Sequence, residues 1–351
     1  MENKQREWSL DFLRIVSCYL VILVHTSVYG WYDYSPRTLN WAVLNFYDTL
    51  GRPSLPIFIM ISGSLFLRKK HIDFRQLWLK SILHLGVIYV VWVLFYAVTN
   101  TGVQKSIADP AKVLELAFGP NPQFHLWYLR TLMNLYAIAP LLWVLVRAMD
   151  GSLVRYFLVL FFVFGVLRKT VYELPFTPAW LHEQINLFMD MDLVEYSAYF
   201  MLGYILVQPE ALNRFSAKTL IIVYVIALTA GAGLNHLIAY IYNWPTQALY
   251  NNFSIPVATE AVCLFLLFRK KFSAVSLSAA AGPWVRRLSE STLFVYLIHM
   301  FVIQRLQIYG HIYTTNYNVL FSVPLFALLV FALAAAVGML LERIPVLNRI
   351  L

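Results

Sequence analysis

The sequence predicts an all-α protein, a polytopic bundle of about ten transmembrane helices forming a single domain over residues 1–351. Hydrophobic residues make up 60% of the chain and charged residues only 13%, whereas a soluble domain has about 25% charged residues. Apolar runs near the roughly 20 residues that a spanning helix needs recur along the whole chain. They cover residues 9–29, 50–67, 76–98, 126–147, 153–167, 193–207, 219–241, 252–268, 290–309 and 318–341.

The distribution of basic residues between these runs predicts the topology. With the N-terminus in the cytoplasm, the segments on that side hold 18 Lys and Arg residues and the opposite loops hold six. The other three, Arg14, Arg130 and Arg305, fall inside predicted spans. Cytoplasmic loops of membrane proteins carry the excess of basic residues, so both termini are predicted to be cytoplasmic. The same bias accounts for the net charge of +9 without a nucleic-acid partner.

The first run carries three ionisable residues, Asp11, Arg14 and His25. Arg14 and His25 are eleven positions apart, which brings them within about 20° of one helix face and about 16 Å apart along the axis. Asp11 lies one turn before Arg14. Ionisable groups inside a membrane helix are costly and commonly mark a functional site. The structural alternative is an interfacial ion pair together with a histidine that only packs.

Two further runs begin with candidate residues. Arg52 stands at the start of the second run among two prolines, which is typical of an irregular helix end that lines a cavity. The fourth run opens with His125 and Tyr128, which are three residues apart and therefore share a helix face. The topology places His125 level with His25, and Arg130 is expected to be buried soon after it. A solvated helix end is the alternative for this group.

Three candidates lie in later runs. Glu260 is a carboxylate near the middle of the eighth run, where an ionisable residue is a functional candidate by default. Tyr296 and His299 share a face of the ninth run, with His299 about midway across the bilayer. Helix packing is the alternative for both. No ligand spacing in the chain predicts a metal site.

Five short motifs occur in the order found in the acyltransferase-3 family of integral membrane acyltransferases. They are Arg14 followed after ten residues by His25, PIFIMISG at 56–63, HLWY at 125–128, FMLGY at 200–204 and YLIH at 296–299. The chain resembles this family over essentially its whole length. Within the family, the compact chain and residues 52–63 are most similar to the subgroup that O-acetylates enterobacterial common antigen.

The resemblance implies a membrane O-acyltransferase, and more specifically an O-acetyltransferase of the bacterial inner membrane. The donor would be a cytoplasmic acyl-CoA, with acetyl-CoA expected, and no metal would take part. The acceptor would be a hydroxyl of a cell-surface glycan or of its lipid-linked sugar precursor, presented at the membrane lipid.

Roles for the candidate residues follow from their chemistry. A guanidinium pairs with phosphate and stays charged, so Arg14 is expected to hold the donor. Imidazole titrates near neutral pH, so His25 is expected to act as general base on the acceptor hydroxyl, directly or through an acyl-His25 intermediate. The remaining candidates are Asp11, His125 and Tyr128 for catalysis, Arg52 and Arg130 for the donor, and Tyr296, His299 and Glu260 for the acceptor.

A secondary transporter is the alternative from another functional class. Intramembrane Asp, Arg and His residues also form proton or substrate relays in transporters. The chain shows no internal repeat of the inverted kind that many transporters contain. Stabilisation by an acyl-CoA donor separates the two hypotheses, because a transporter has no need of it.

Overall fold

The structure is a computed structural model that describes residues 6–119, 123–188 and 192–341. Within these residues the chain forms helices and no strand, which confirms the predicted all-α class. The helices are α1 (Trp8–Ser27), α2 (Leu39–Gly51), α3 (Ser54–Phe66), α4 (Phe74–Gln76), α5 (Leu83–Thr101), α6 (Val103–Ala108), α7 (Pro110–Phe118), α8 (Trp127–Ala148), α9 (Gly151–Leu160), α10 (Arg168–Glu173), α11 (Ala179–Phe188), α12 (Asp192–Leu206), α13 (Pro209–Arg214), α14 (Ala217–Tyr242), α15 (Ile255–Phe272), α16 (Ala281–Glu290), α17 (Thr292–Gly310) and α18 (Val319–Leu341).

Seven helical segments in the described part of the chain are long and apolar enough to cross a membrane. They are Trp8–Ser27, Phe74–Thr101, Phe124–Ala148, Gly151–Glu173, Ala217–Tyr242, Thr292–Gly310 and Val319–Leu341. Each coincides with a predicted run. The other three predicted runs coincide with α3, α12 and α15, of which the first two are shorter and the third is more charged. Residues 1–5 and 342–351, which bear on the predicted cytoplasmic termini, lie outside the described residues.

Two of the long segments contain a stretch of wider, π-helical turns. One joins α4 to α5 over Leu77–Ile82, and the other joins α9 to α10 over Phe161–Leu167. A short 3-10 turn, Phe124–Leu126, precedes α8 and places His125 at the start of that segment. Such turns interrupt the regular hydrogen-bond ladder and are frequent at functional sites.

Helix α1 lies at the centre of the bundle. It packs against α2, α3, α15, α16, α17 and α18. Of its apolar window, 61% is buried, the largest share among the seven candidate spans. Arg14 and His25 are therefore carried by the best-enclosed helix, near its two ends. The end of the bundle that holds Arg14 is called the arginine end below, and the end that holds His25 the histidine end.

Helices α3 and α12 touch backbone to backbone. A Cβ atom added to Gly63 would collide with the backbone carbonyl of Phe200, and one added to Gly203 would collide with the carbonyl of Met60. Small residues permit this close approach between membrane helices. Because the contact is reciprocal, it fixes α3, which begins two residues after Arg52, against α12.

Candidate functional site: a polar cavity at the histidine end and an arginine cluster at the other

A cavity of about 600 Å³, called the polar cavity, opens at the histidine end of the bundle. Four sequence candidates line it: His25, Arg52, His125 and Tyr296. On α1 its lining extends from Val21 to Val28. The structure thus gathers candidates from α1, the segment before α3, the start of the α8 segment, and α17 around one space.

Three histidines from different helices meet beside this cavity and form the histidine cluster (His25, His125 and His299). The ring of His299 is stacked on that of His25, with centroids 5.1 Å apart and planes at 28°. His125 meets His299 edge to face, also at 5.1 Å. His299 is fully buried and His125 almost so, whereas His25 is half-buried at the cavity wall. His25 is therefore the most accessible member of the cluster.

Hydrogen bonds set the orientation of two of these rings. Nδ1 of His299 lies 2.5 Å from the carbonyl oxygen of Tyr296, and Nε2 of His125 lies 3.3 Å from that of Leu297. A carbonyl only accepts, so each of these nitrogens carries its proton and donates. The opposite nitrogens, Nε2 of His299 and Nδ1 of His125, have no partner among the described residues. Two buried acceptor positions therefore lie next to His25.

Tyr96 of α5 supports the cluster through its hydrogen bonds to α17. Its hydroxyl donates to the carbonyl of Leu297 at 2.7 Å and accepts from the amide of Phe301 at 3.3 Å, so it bridges one turn of α17. The Leu297 carbonyl thus accepts from both Tyr96 and His125. The hydroxyl of Tyr296 in turn donates to the backbone carbonyl of His125. These bonds connect α5, α8 and α17 through the cluster.

Arg52 occupies the break between α2 and α3. Its Nε atom pairs with the fully buried carboxylate of Asp48, and its guanidinium lies 4.5 Å from the ring centroid of Tyr250. Arg52 also lines the polar cavity, which places it at the histidine end.

Tyr128 and Arg130 have different environments on α8. The ring of Tyr128 is buried against Tyr296, with centroids 5.4 Å apart, but Tyr128 is not among the residues lining the polar cavity. Arg130 is exposed on the surface of the bundle, so the prediction that it is buried beside His125 was wrong. Five residues turn a helix by about 500°, which places Arg130 about 140° away from His125.

The wall opposite the histidine cluster consists of residues that the sequence reasoning missed. Carboxylate, ammonium and amide groups line it, namely Glu195, Lys169, Gln247, Asn251 and Asn252. Glu195 pairs with Arg168 and lies 3.7 Å from the Nζ atom of Lys169. The polar segment between α14 and α15, which contains both asparagines, was the only signal in the sequence for this wall.

Two aromatic rings complete that wall. Trp127 and Tyr196 pack with ring centroids 5.6 Å apart, and both line the cavity. The side-chain amide of Asn252 donates to the hydroxyl of Tyr196 at 3.0 Å, and the hydroxyl of Tyr199 donates to the carbonyl of Asn252 at 2.6 Å. The segment before α15 is thereby held against α12.

Asp11 and Arg14 lie at the arginine end. The carboxylate of Asp11 pairs with Arg6 at 2.7 Å and lies 3.9 Å from Nη1 of Arg14. The hydroxyl of Ser289 donates to Asp11 at 2.6 Å and accepts from Arg14 at 3.3 Å. Asp11 thus positions arginine side chains and is about 21 Å from His25 along the helix.

A second carboxylate at this end also bridges two arginines. Glu7 pairs with Arg68 at 2.5 Å and with Arg269 at 2.6 Å. Burial alone would raise the pKa of Glu7, but the hydrogen bond and charge of Arg68, joined by those of Arg269, lower it overall. Arg6, Arg14, Arg68 and Arg269 are called the arginine cluster below. Arg6 also pairs with a third carboxylate, that of Glu290, at 2.9 Å, so four guanidinium groups here share three carboxylates.

Glu260 lies apart from both groups. It is fully buried in α15 and is not among the residues that line the polar cavity. Neither of its carboxylate oxygens has a hydrogen-bond partner in the described part of the protein. Within residues 6–119, 123–188 and 192–341, no group of three or more His, Cys, Asp or Glu residues has the arrangement of a metal site.

An apolar helix bundle that encloses a polar cavity, with histidines at one end and arginines at the other, defines an integral membrane protein with an intramembrane site. The model of the acyltransferase-3 family, described as an acyltransferase domain, matches residues 7–343. The chain therefore belongs to the acyltransferase-3 family and is a membrane acyltransferase, which confirms the resemblance at the level of the family. No curated protein and no solved structure matches the chain significantly.

Proposed function

We propose that this acyltransferase is an O-acetyltransferase of the bacterial inner membrane. It transfers an acyl group from cytoplasmic acyl-CoA to a hydroxyl of a cell-surface glycan or of its lipid-linked precursor. The observation that carries this proposal is the placement of the histidine cluster and the arginine cluster at opposite ends of α1. Arg14 and His25 are about 16 Å apart along that helix, which suits two substrates that enter from opposite sides.

The arginine cluster suits the phosphates of the donor. Arginine pairs with phosphate through two parallel hydrogen bonds and keeps its charge. Four guanidinium groups share the three carboxylates of Glu7, Asp11 and Glu290, so the cluster keeps an excess of positive charge. A donor held there extends its pantetheine arm along α1 and delivers its thioester to His25.

The histidine cluster suits the chemical step. His25 takes the proton of the acceptor hydroxyl while the hydroxyl oxygen attacks the thioester carbonyl. The carbon–sulfur bond then breaks, and the proton on His25 passes to the CoA sulfur. Arg52 lines the same cavity, and its guanidinium suits the negative charge that develops on the carbonyl oxygen. This assigns Arg52 to the reacting carbonyl in place of the donor phosphates.

The opposite wall of the polar cavity suits a sugar. Amide and carboxylate groups such as Asn251 and Glu195 exchange hydrogen bonds with hydroxyls, and aromatic rings such as Trp127 cover the apolar face of a sugar ring. Binding sites commonly combine apolar walls with a few placed polar groups. The cavity volume of about 600 Å³ lies within the usual range for small-molecule sites.

The test compares purified wild type, Arg14→Ala and His25→Ala by thermal unfolding with and without acetyl-CoA, together with release of CoA. Acetyl-CoA should stabilise the wild type, by about 2.7 kcal/mol at a hundredfold excess over its Kd. Arg14→Ala should lose this stabilisation, whereas His25→Ala should keep it and release no CoA. Acyl transfer by His25→Ala, or no effect of acetyl-CoA on the wild type, would contradict the proposal.

A further inference from the structure

A second cavity, called the apolar groove, lies beside the polar cavity along α14. Its volume is also about 600 Å³, and its lining follows α14 from Val223 to Tyr242, with the start of α15 opposite. The small side chains of Ala227 and Ala230 give it depth. The rise from the first to the last of these twenty residues is about 28 Å, close to the roughly 30 Å thickness of the hydrocarbon core.

The lining of the groove is almost entirely hydrocarbon. Thr170, Thr259 and Tyr242 contribute its side-chain hydroxyls, and no charged residue lines it.

A thin partition separates the apolar groove from the polar cavity. Lys169 lines the polar cavity and the next residue, Thr170, lines the groove. In the same way Phe253 lines the cavity and Ile255 lines the groove. The amide of Ile255 donates to the hydroxyl of Thr170 at 2.9 Å, which joins the two edges of the partition. The two spaces are thus neighbours across one layer of chain.

Both spaces approach the same end of the bundle. Tyr32, which follows α1, packs against Trp244, which follows α14, with ring centroids 6.0 Å apart. The groove therefore runs from the histidine end along most of the length of α14. The polar head of an amphiphile in the polar cavity and its tail along α14 would be separated by this partition alone.

We propose that the apolar groove binds the single hydrocarbon tail of a lipid-linked acceptor whose polar head enters the polar cavity. This inference rests on the proposed O-acyl transfer and narrows its acceptor to a membrane-anchored molecule. A tail at this position fixes the depth of the head in the bilayer, and thus which of its hydroxyls meets His25.

The experiment uses the full chain in phospholipid nanodiscs and a polyprenyl phosphate that carries a photoreactive diazirine on its tail. Labelled peptides should map to residues 223–242 and 249–259. Excess unlabelled polyprenyl phosphate should reduce the labelling at least tenfold, and phosphatidylglycerol should not. Equal competition by phosphatidylglycerol, or labelling spread evenly over the helices that face the lipid, would overturn the proposal.

Two matched variants distinguish binding in the groove from general contact between the probe and the lipid-facing surface. Ala230→Trp fills the groove from an exposed position on α14, and Ala336→Trp adds the same ring to the exposed face of α18. The first should reduce labelling about tenfold and the second should not change it. Equal labelling of the two variants would contradict the groove as the binding site.

The acetyl-CoA response of the same samples distinguishes the two proposals. If acetyl-CoA stabilises the protein and CoA release requires His25 while labelling is unspecific, the groove proposal fails and the proposed function stands. If labelling is specific but acetyl-CoA has no effect, the proposed function fails and the groove's occupant is not an acyl acceptor.

Discussion

The two ends of α1 differ in how their polar groups are satisfied. At the arginine end the three carboxylates that could accept hydrogen bonds are paired, Asp11 and Glu290 with Arg6, and Glu7 with Arg68 and Arg269; the buried atom without a partner there is a donor, Nε of Arg269. At the histidine end, two buried ring nitrogens have no partner within the described residues. An unpaired buried polar atom is costly to keep, so its presence indicates chemistry or ligand binding. At the arginine end, the donor proposed above would compete with these carboxylates for the guanidinium groups.

The largest effect should come from the histidine end. His25→Ala removes the proposed general base, which is expected to lower kcat by about 10²–10⁴-fold. A CoA-release assay measures this loss. His71→Ala, which changes an exposed histidine, serves as the control and should leave the rate unchanged. If His25→Ala instead abolished acetyl-CoA stabilisation and kept kcat, the assignment of chemistry and binding to the two ends would be reversed.

The next effect should come from the arginine end and appear in binding. A hydrogen bond to a charged group contributes about 1.5–3 kcal/mol, so Arg14→Ala should raise KM for acetyl-CoA about 10- to 150-fold. Its kcat should change much less. Arg130→Ala is the matched control, because Arg130 is exposed and belongs to neither end. An equal rise in KM for both variants would indicate a general charge effect and remove the specific role of Arg14.

A smaller effect is expected from the support beneath the histidine cluster. Tyr96→Phe keeps the ring but removes the hydroxyl that bridges Leu297 and Phe301 in α17. Two lost hydrogen bonds should lower the free energy of unfolding by about 1–3 kcal/mol. As a positioning residue, Tyr96 should affect kcat severalfold and leave KM for acetyl-CoA unchanged. A variant that loses stability with unaltered kcat would show that Tyr96 only supports the fold.

The smallest effect concerns the pH dependence of stability. The pKa of Glu7 in the folded protein lies below its ordinary value of 4.5, so its ion pairs stabilise the protein above that pH. This contribution decreases as the pH falls through 4.5 and is absent below the lowered pKa. The melting temperature of the wild type should therefore fall between pH 7 and pH 3, and this fall should be smaller in Glu7→Gln. Parallel curves for the two proteins would contradict the pairing at the arginine end.

The sequence predicted the long helices because continuous apolar runs are a local signal. The predicted topology placed His125 level with His25, but it put His299 about midway across the bilayer and did not predict its contacts with the other two rings. Arg130 was misplaced because its distance in sequence from His125 was considered without its angle around the helix. The helical period alone would have placed it on another face.

Helix α2 and the polar wall of the cavity could not be predicted from the sequence, because they depend on tertiary contacts. Asn45, Asp48 and Thr49 interrupt the apolar pattern of α2, yet all three are buried. Asn45 is satisfied from α14, where Asn235 donates to it at 2.8 Å, about 190 positions away in the chain. Glu195 meets Lys169 in the same manner, through packing between separate helices. Contacts of this kind have no periodic signature in the sequence.

The glycine contact between α3 and α12 has a consequence for the substrates that the protein accepts. Because residues 63 and 203 are glycines, no side chain lies between the two backbones. A mutation therefore cannot move the helices closer by shortening a side chain there. Arg52, just before α3, and Glu195, in the first turn of α12, line the same cavity. The width of the cavity between them is therefore a property of the main chain. Selection for a bulkier acceptor should accordingly act on the segment at 247–253 and leave this helix pair unchanged.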